Sequence, residues 1–247
     1  MNVDFESGPV RINKFLSAVG VCSRREADRM IEEGRVRVNG QNAVPGTKVE
    51  PGQSVTVDGR SVGGVMQIGS IKPVLIAVNK PAGIVCTTSG KDRAKTIVEM
   101  VNFPSRVYPI GRLDKESEGL ILMTNQGDLV NKILKASNEH EKEYLVTVDK
   151  PVNEEFLNHM RRGVYLEELK TTTRPCKVEV KGKAAFDIIL TQGLNREIRR
   201  MCEALGYRVQ ILKRIRIMNI RLNSLVSGTW RNVTPEEMRT LKETLDV

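Results

Sequence analysis

Hydrophobic positions recur at helical spacing near the start of the chain and then give way to alternation. In RINKFLSAV (residues 11–19), Ile12, Phe15, Leu16 and Val19 share one helical face, and Gly20 follows as a stop. Ser23-Arg24-Arg25-Glu26 fits a capping box, a hydroxyl at the N-cap with a carboxylate three residues on. It predicts a second helix with Ala27, Met30 and Ile31 inward, closed at Gly34. Val36-Arg37-Val38 runs into Asn39-Gly40, a strong hairpin signal, and two more short strands are expected, ending at Asp58-Gly59. Residues 1–65 thus read as a small α/β unit of two helices and a little sheet. The segment SVGGVMQIGSIKP (61–73), with three glycines and little charge, reads as a linker whose core is 66–73.

Residues 74–247 read as a second domain. Strands are expected at 74–80, 119–124, 142–150, 176–182 and 184–192, with helices at 128–136, 152–162, 196–205 and 235–245. The last helix is well signalled by Thr234 as cap, Pro235 in the first turn and Glu237 three residues past the cap. Several strands join through hairpins, so the fold class is α+β, a mostly antiparallel mixed sheet flanked by helices.

Composition narrows the function. The longest aliphatic run is Val74–Val78, far short of the roughly 20 residues a membrane span needs. MNVDFESGPV lacks a basic start and an apolar stretch, so no secretory signal is expected and the protein reads as cytoplasmic. Four scattered cysteines and two histidines offer neither a disulfide framework nor a usual zinc spacing, and no metal or cofactor is expected. A net charge of +9 points to an anionic partner, RNA or DNA first.

That charge is concentrated in two places. Lys14, Arg24, Arg25 and Arg29 fall on or beside the first two helices, away from their apolar stripes, and the arginines sit at a helix start, which suits a phosphate backbone. Residues 195–216 hold seven basic side chains, including Arg196, Arg199 and Arg200, against Glu197 and Glu203. Aromatic residues are few and not interleaved with this stretch, which favours shape and backbone recognition of a folded RNA over base stacking. Cys202 falls on the buried face of its helix and reads as a core residue.

The unusual segment is YPIGRLDKESEGLILMT (108–124), where Asp114 lies in a polar turn before an apolar strand. Its continuation GRLDKESEGLILMTNQGDLV resembles the signature of the bacterial pseudouridine synthases that modify ribosomal RNA, in the group with an N-terminal S4 RNA-binding domain. The resemblance covers nearly the whole chain. It takes in RINKFLSAVGVCSRREADRMIEEGRVRVNG, NKPAGIV (79–85), HEKEYLVTV (140–148), GLNREIRRMCEALGY (193–207) and LKRIRI (212–217).

The resemblance implies isomerisation of a specific uridine to pseudouridine without a cofactor. Asp114 matches the catalytic aspartate, Tyr144 the tyrosine that packs on the uracil, and Arg199 the arginine paired with that aspartate. Arg112 and Lys80 match cleft-lining positions, and Arg196 and Arg200 are expected on phosphates around an extruded nucleotide. The implied substrate is 23S ribosomal RNA near uridine 2604, with a transfer RNA as a second substrate; a monomer is expected because no long apolar stretch requires an assembly. Three other readings compete: a synthase for another 23S or 16S uridine, a non-catalytic S4-type ribosome-assembly factor, and a glycoside hydrolase pairing Asp114 with Glu116 or Glu118. The last needs sugar-binding aromatics that the composition does not supply.

Overall fold

The computed structural model describes residues 8–64, 72–87, 94–134 and 139–246. The chain divides into two compact units, one running through Val74 with the short segments Pro104–Arg106 and Asn125–Gly127, the other comprising the remainder.

In the N-terminal unit, β1 (Val10–Arg11) leads into α1 (Ile12–Ala18), and α2 (Arg24–Glu32) follows. The Ser23 hydroxyl accepts from Glu26 N–H at 3.1 Å, but the Glu26 carboxylate pairs with Arg29 instead of completing the box. Next come β2 (Val36–Val38), β3 (Gln41–Asn42), β4 (Lys48–Val49), β5 (Ser54–Val57) and β6 (Arg60–Gly64). Strands β3-β2-β5-β6 form one sheet, and β1 pairs with β4. Ile12, Phe15, Leu16, Ala27 and Ile31 bury against Val36, Val49, Val55 and Val57. The sheet does not end at Asp58-Gly59. That pair makes a second tight turn, Val57 faces Arg60, and residues 61–64, expected in a linker, are strand. Most of the remaining linker, 65–71, lies outside the described residues.

The second unit is built on nine strands. They are β7 (Leu75–Lys80), β8 (Tyr108–Ile110), β9 (Glu118–Thr124), β10 (Lys142–Val148), β13 (Lys177–Gly182), β14 (Ala185–Leu190), β15 (Val209–Ile217), β16 (Ile220–Arg221) and β17 (Trp230–Asn232). A separate ribbon pairs β11 (Tyr165–Leu166) with β12 (Thr171–Thr172). The helices are α3 (Ile97–Val101), α4 (Gly127–Leu134), α5 (Glu154–Arg162), α6 (Glu197–Ala204) and α7 (Pro235–Thr244). The end of the expected helix 128–136 lies outside the described residues.

The sheet order is β13-β14-β10-β15-β9-β7-β17, with β16 beside β15 and β8 beside β9. All pairings are antiparallel except β9 with β15, where Glu118 faces Lys213 and Gly119 faces Arg214. All six residues of β7 are buried, as are the last six of β9, because both faces are covered; hence their continuous apolar runs. One core packs Phe156, Leu157 and Met160 of α5 and Ile198, Met201 and Cys202 of α6 against Val146, Phe186 and Ile188.

The basic stretch 195–216 comprises α6 and most of β15, and its strand half is structural. Arg214 is 4% exposed and donates from Nε to Leu120 O at 2.6 Å. Arg216 binds Glu143 at 2.5 Å and Glu141 at 2.9 Å.

Candidate active site

A cavity of about 370 Å³ opens in the second unit. That is within the ~300–1,000 Å³ usual for small-molecule sites. Asp114, Arg112, Tyr144 and Arg196, all expected at the site, line it.

Asp114 sits in the loop between β8 and β9, held by a turn in which Ser117 N–H donates to Asp114 O at 3.1 Å. Beneath that loop Lys80 is fully buried, and its Nζ donates to Pro81 O at 2.8 Å and Lys115 O at 3.3 Å. Burial pushes the Lys80 amine below its usual range, against the pull of nearby groups including Asp114 and Glu116. Lys80 was expected on RNA. Instead it ties the end of β7 to the Asp114 loop, out of reach of any solute.

The guanidinium facing Asp114 is not the expected one. Arg196 has left-handed backbone (φ 51°) at the start of α6. This turns its side chain back, so that Nη1 lies 3.9 Å from Asp114 Oδ2 and 3.2 Å from Glu116 Oε2. The backbone N–H of Glu116 and this guanidinium hold the Glu116 carboxyl below the usual range. Arg199 makes no ion pair with Asp114. It is 7% exposed, and its Nη2 reaches Ser117 Oγ at 3.4 Å and its Nη1 Val209 O at 3.3 Å. One helical turn along α6 replaces the aspartate by the turn that carries it. Arg200 is also committed: it pairs with Glu168 and donates from Nε to Asn195 O at 2.9 Å.

Strand β10 alternates with period two. His140, just before it, with Lys142 and Tyr144 lines the cavity, while Glu141 and Glu143 bind Arg216. Tyr144 stands opposite Arg214, whose guanidinium carbon is 5.9 Å from the tyrosine ring centre. Sequence reasoning missed His140, Lys142, Arg214 and Glu197, all lining the cavity. The alternation in HEKEY was the available signal. Glu197 is buried and accepts from Leu194 N–H at 2.9 Å, and burial raises its carboxyl above the usual range. Lys142 donates to His140 O at 3.1 Å, and burial, then Arg214, lowers its amine. Among the described residues no group of three or more His, Cys, Asp or Glu is placed to hold a metal, and no helix is long and apolar enough to cross a membrane.

In the N-terminal unit, Arg24 and Arg25 are exposed in the first turn of α2, and neither forms an ion pair among the described residues. Arg29 pairs with Glu26 at 2.5 Å and lies 3.6 Å from Glu33, so part of its charge is already compensated. Lys14 is half-buried on α1.

Comparison with known proteins bears on both units. The S4 domain family matches residues 10–55, and the RNA pseudouridylate synthase family matches residues 74–204. The dual-specificity RNA pseudouridine synthase RluF of Escherichia coli (strain K12) is 53% identical over 235 residues, covering 93% of this chain and 77% of that protein. Ribosomal large subunit pseudouridine synthase B of Bacillus subtilis (strain 168) is 34% identical over 242 residues, covering 96% and 97%. A crystal structure of a pseudouridylate synthase superposes with a TM-score of 0.68 at 27% identity, covering 94% of this chain and 99% of that one. With the S4 family matched at residues 10–55 and the synthase family over residues 74–204, the chain belongs to the RNA pseudouridylate synthase family and is an RNA pseudouridine synthase with an N-terminal S4 domain.

Proposed function

We propose that the enzyme isomerises a uridine of 23S ribosomal RNA, at position 2604, to pseudouridine, that a transfer RNA is its second substrate, and that it works in the cytoplasm as a monomer. The names of the relatives support this choice: one is dual-specificity, another a large-subunit enzyme. The observation that carries the chemistry is the meeting of Asp114, Tyr144 and Arg196 on one cavity wall.

The C1′–N1 bond breaks, the freed uracil turns, C1′ joins C5, the C5 proton leaves, and N1 takes up a proton. Nothing is gained or lost over the cycle, so no cofactor is consumed. Attack on C1′, or removal of the C2′ proton to give a glycal, needs a carboxylate beside the C1′–C2′ bond, and Asp114 supplies it. Tyr144 packs on the base and takes the C5 proton. Arg196 orients the Asp114 carboxylate through a charge-assisted contact. Arg199 acts as a positioning residue through Ser117. Arg112 at the cavity rim, with Lys14, Arg24, Arg25 and Arg29 in the S4 unit, holds phosphates.

Release of tritium from RNA labelled at uridine C5 tests the assignment. Asp114→Asn abolishes release while RNA binding and folding persist; appreciable release by the variant refutes the role of Asp114. Mapping pseudouridines in ribosomal and transfer RNA from cells with and without the gene tests the target.

A further inference from the structure

The cavity wall carries more positive charge than its own carboxylates offset. Arg112, Lys142, Arg196 and Arg214 line it, against Asp114 and Glu197. Asp114 lies opposite Arg196, and Arg112 is exposed. Two cations, Lys142 and Arg214, then share one carboxylate, Glu197. That carboxylate already accepts from Leu194 N–H at 2.9 Å and from the Gln192 amide, and burial raises its carboxyl above the usual range. Lys142 feels the imbalance: burial and then the Arg214 charge lower its amine, and the charge of Glu197 opposes them.

Like charges gathered in a partly buried wall cost free energy, and the architecture explains one of the two. Arg214 ties β15 to β9 through its bond to Leu120 O. Lys142 donates to His140 O at 3.1 Å, a bond that a neutral donor makes without the repulsion. Lys142 is half-buried and lines the cavity two residues before Tyr144, about 6–7 Å along the same side of β10. Arg214 stands opposite Tyr144 on the next strand. The two cations therefore flank the ring assigned above as the platform for the uracil.

The chemistry places an anion there. When the C1′–N1 bond breaks, its electron pair stays on N1 and spreads over O2 and O4. C1′ is left bonded to an Asp114 carboxylate oxygen or, on the glycal route, doubly bonded to C2′ after Asp114 takes the C2′ proton. The negative charge is given up only when an electron pair from C5 closes the C1′–C5 bond. We propose that Lys142, with its charge reinforced by Arg214, stabilises the uracil anion that exists between cleavage of C1′–N1 and closure of C1′–C5. The base is neutral before cleavage, so this charge lowers the barrier without tightening RNA binding.

The inference rests on the cavity being the uridine site, and its test separates the two claims. Take a synthetic hairpin copied from whichever RNA the mapping shows to be modified, with uridine or 5-fluorouridine at the target position. Fluorine withdraws electron density and makes the base a better anion, so its departure needs the cation less. Measure single-turnover rates with full-length enzyme in excess, following loss of the starting nucleoside by chromatography after digestion. Lys142→Met slows uridine conversion about 10- to 100-fold, and Kd for the hairpin stays within about twofold. Its ratio of 5-fluorouridine to uridine rates rises more than about threefold above that of wild type. Lys142→Arg keeps the positive charge and holds the ratio near the wild-type value.

A ratio in Lys142→Met within about threefold of wild type overturns the proposal. An equal rise in Lys142→Arg overturns it too, because shape and not charge then matters, and so does a loss confined to Kd. The ratio compares two substrates on one variant, so a fraction of unfolded protein leaves it unchanged. Each of these results leaves Asp114 standing, since its role is decided by tritium release from Asp114→Asn; release there removes both readings.

Discussion

Gly119 is where the Asp114 loop enters β9, and it gives the most demanding test of how the site is built. Its φ is +100°, and a Cβ there would lie 2.3 Å from Arg214 O and 2.8 Å from Arg214 N. Those atoms are backbone of β15, so no side-chain rotation relieves the overlap. Gly119→Ala incurs about 1–2 kcal/mol for the left-handed conformation and about 1–3 kcal/mol for overpacking, in total roughly 2–5 kcal/mol. Gly206→Ala is the control, because its φ is +74° but the nearest atom a Cβ would meet is the flexible Lys150 Nζ at 3.8 Å. It loses the conformational part alone, about 1 kcal/mol. Urea unfolding followed by fluorescence of Trp230, the sole tryptophan and a residue of β17, reports on the sheet directly. Turnover falls with the stability loss, because β9 and β15 must separate and carry Asp114 and Arg214 apart. A Gly119→Ala variant as stable as Gly206→Ala would falsify the close parallel approach on which the site depends.

Three further outcomes are expected. Lys80→Met leaves Pro81 O without its Lys80 donor, while Lys115 O keeps Gly83 N–H at 2.7 Å, and the loss is about 1–3 kcal/mol; kcat drops tenfold or more, RNA affinity holds, and a normal kcat would show that the loop does not need this anchor. Glu237 accepts two 2.7 Å bonds from Arg231, which hold its carboxyl below the ordinary 4.5. Its stabilisation is therefore full above pH 4.5 and fades as pH falls further, so wild type should exceed Glu237→Gln by about 1–3 kcal/mol at pH 7 and by less at pH 3.5; an equal gap at both pH values contradicts the sign. Arg24→Ala with Arg25→Ala lowers RNA affinity and flattens the log–log salt dependence by about one to two, and an unchanged slope removes these residues from the RNA contact.

Local signals in the sequence were legible where the physics is local. Thr234, Pro235 and Glu237 start α7 with a complete capping box, and β7 and β9 appear as apolar runs because both faces are buried. The equivalent box at Thr96 and Glu99 opens α3, a five-residue helix too short for a periodic pattern to reveal. Strand β15 was hidden by its own charges, which Glu141, Glu143 and Leu120 O satisfy across strands far away in sequence. Asp114 in isolation was an ordinary turn residue, and family resemblance picked it out. Resemblance pointed to Arg199 as the partner of Asp114, whereas the left-handed backbone of Arg196 aims that residue at Asp114 and leaves Arg199 under the turn.

The parallel pairing of β9 with β15 also sets an order of events during synthesis. Strand hairpins such as β13 with β14 close locally, whereas β9 must wait for a strand whose contact residues, Lys213 and Arg214, lie about ninety-five positions downstream. The last strand of the S4 unit ends at Gly64, so about 150 residues emerge between that point and Arg214. At ~5–20 residues per second that interval is roughly 8–30 seconds. A nascent enzyme thus owns its RNA-binding unit well before it owns an active site, and it can hold RNA that it is not yet able to modify.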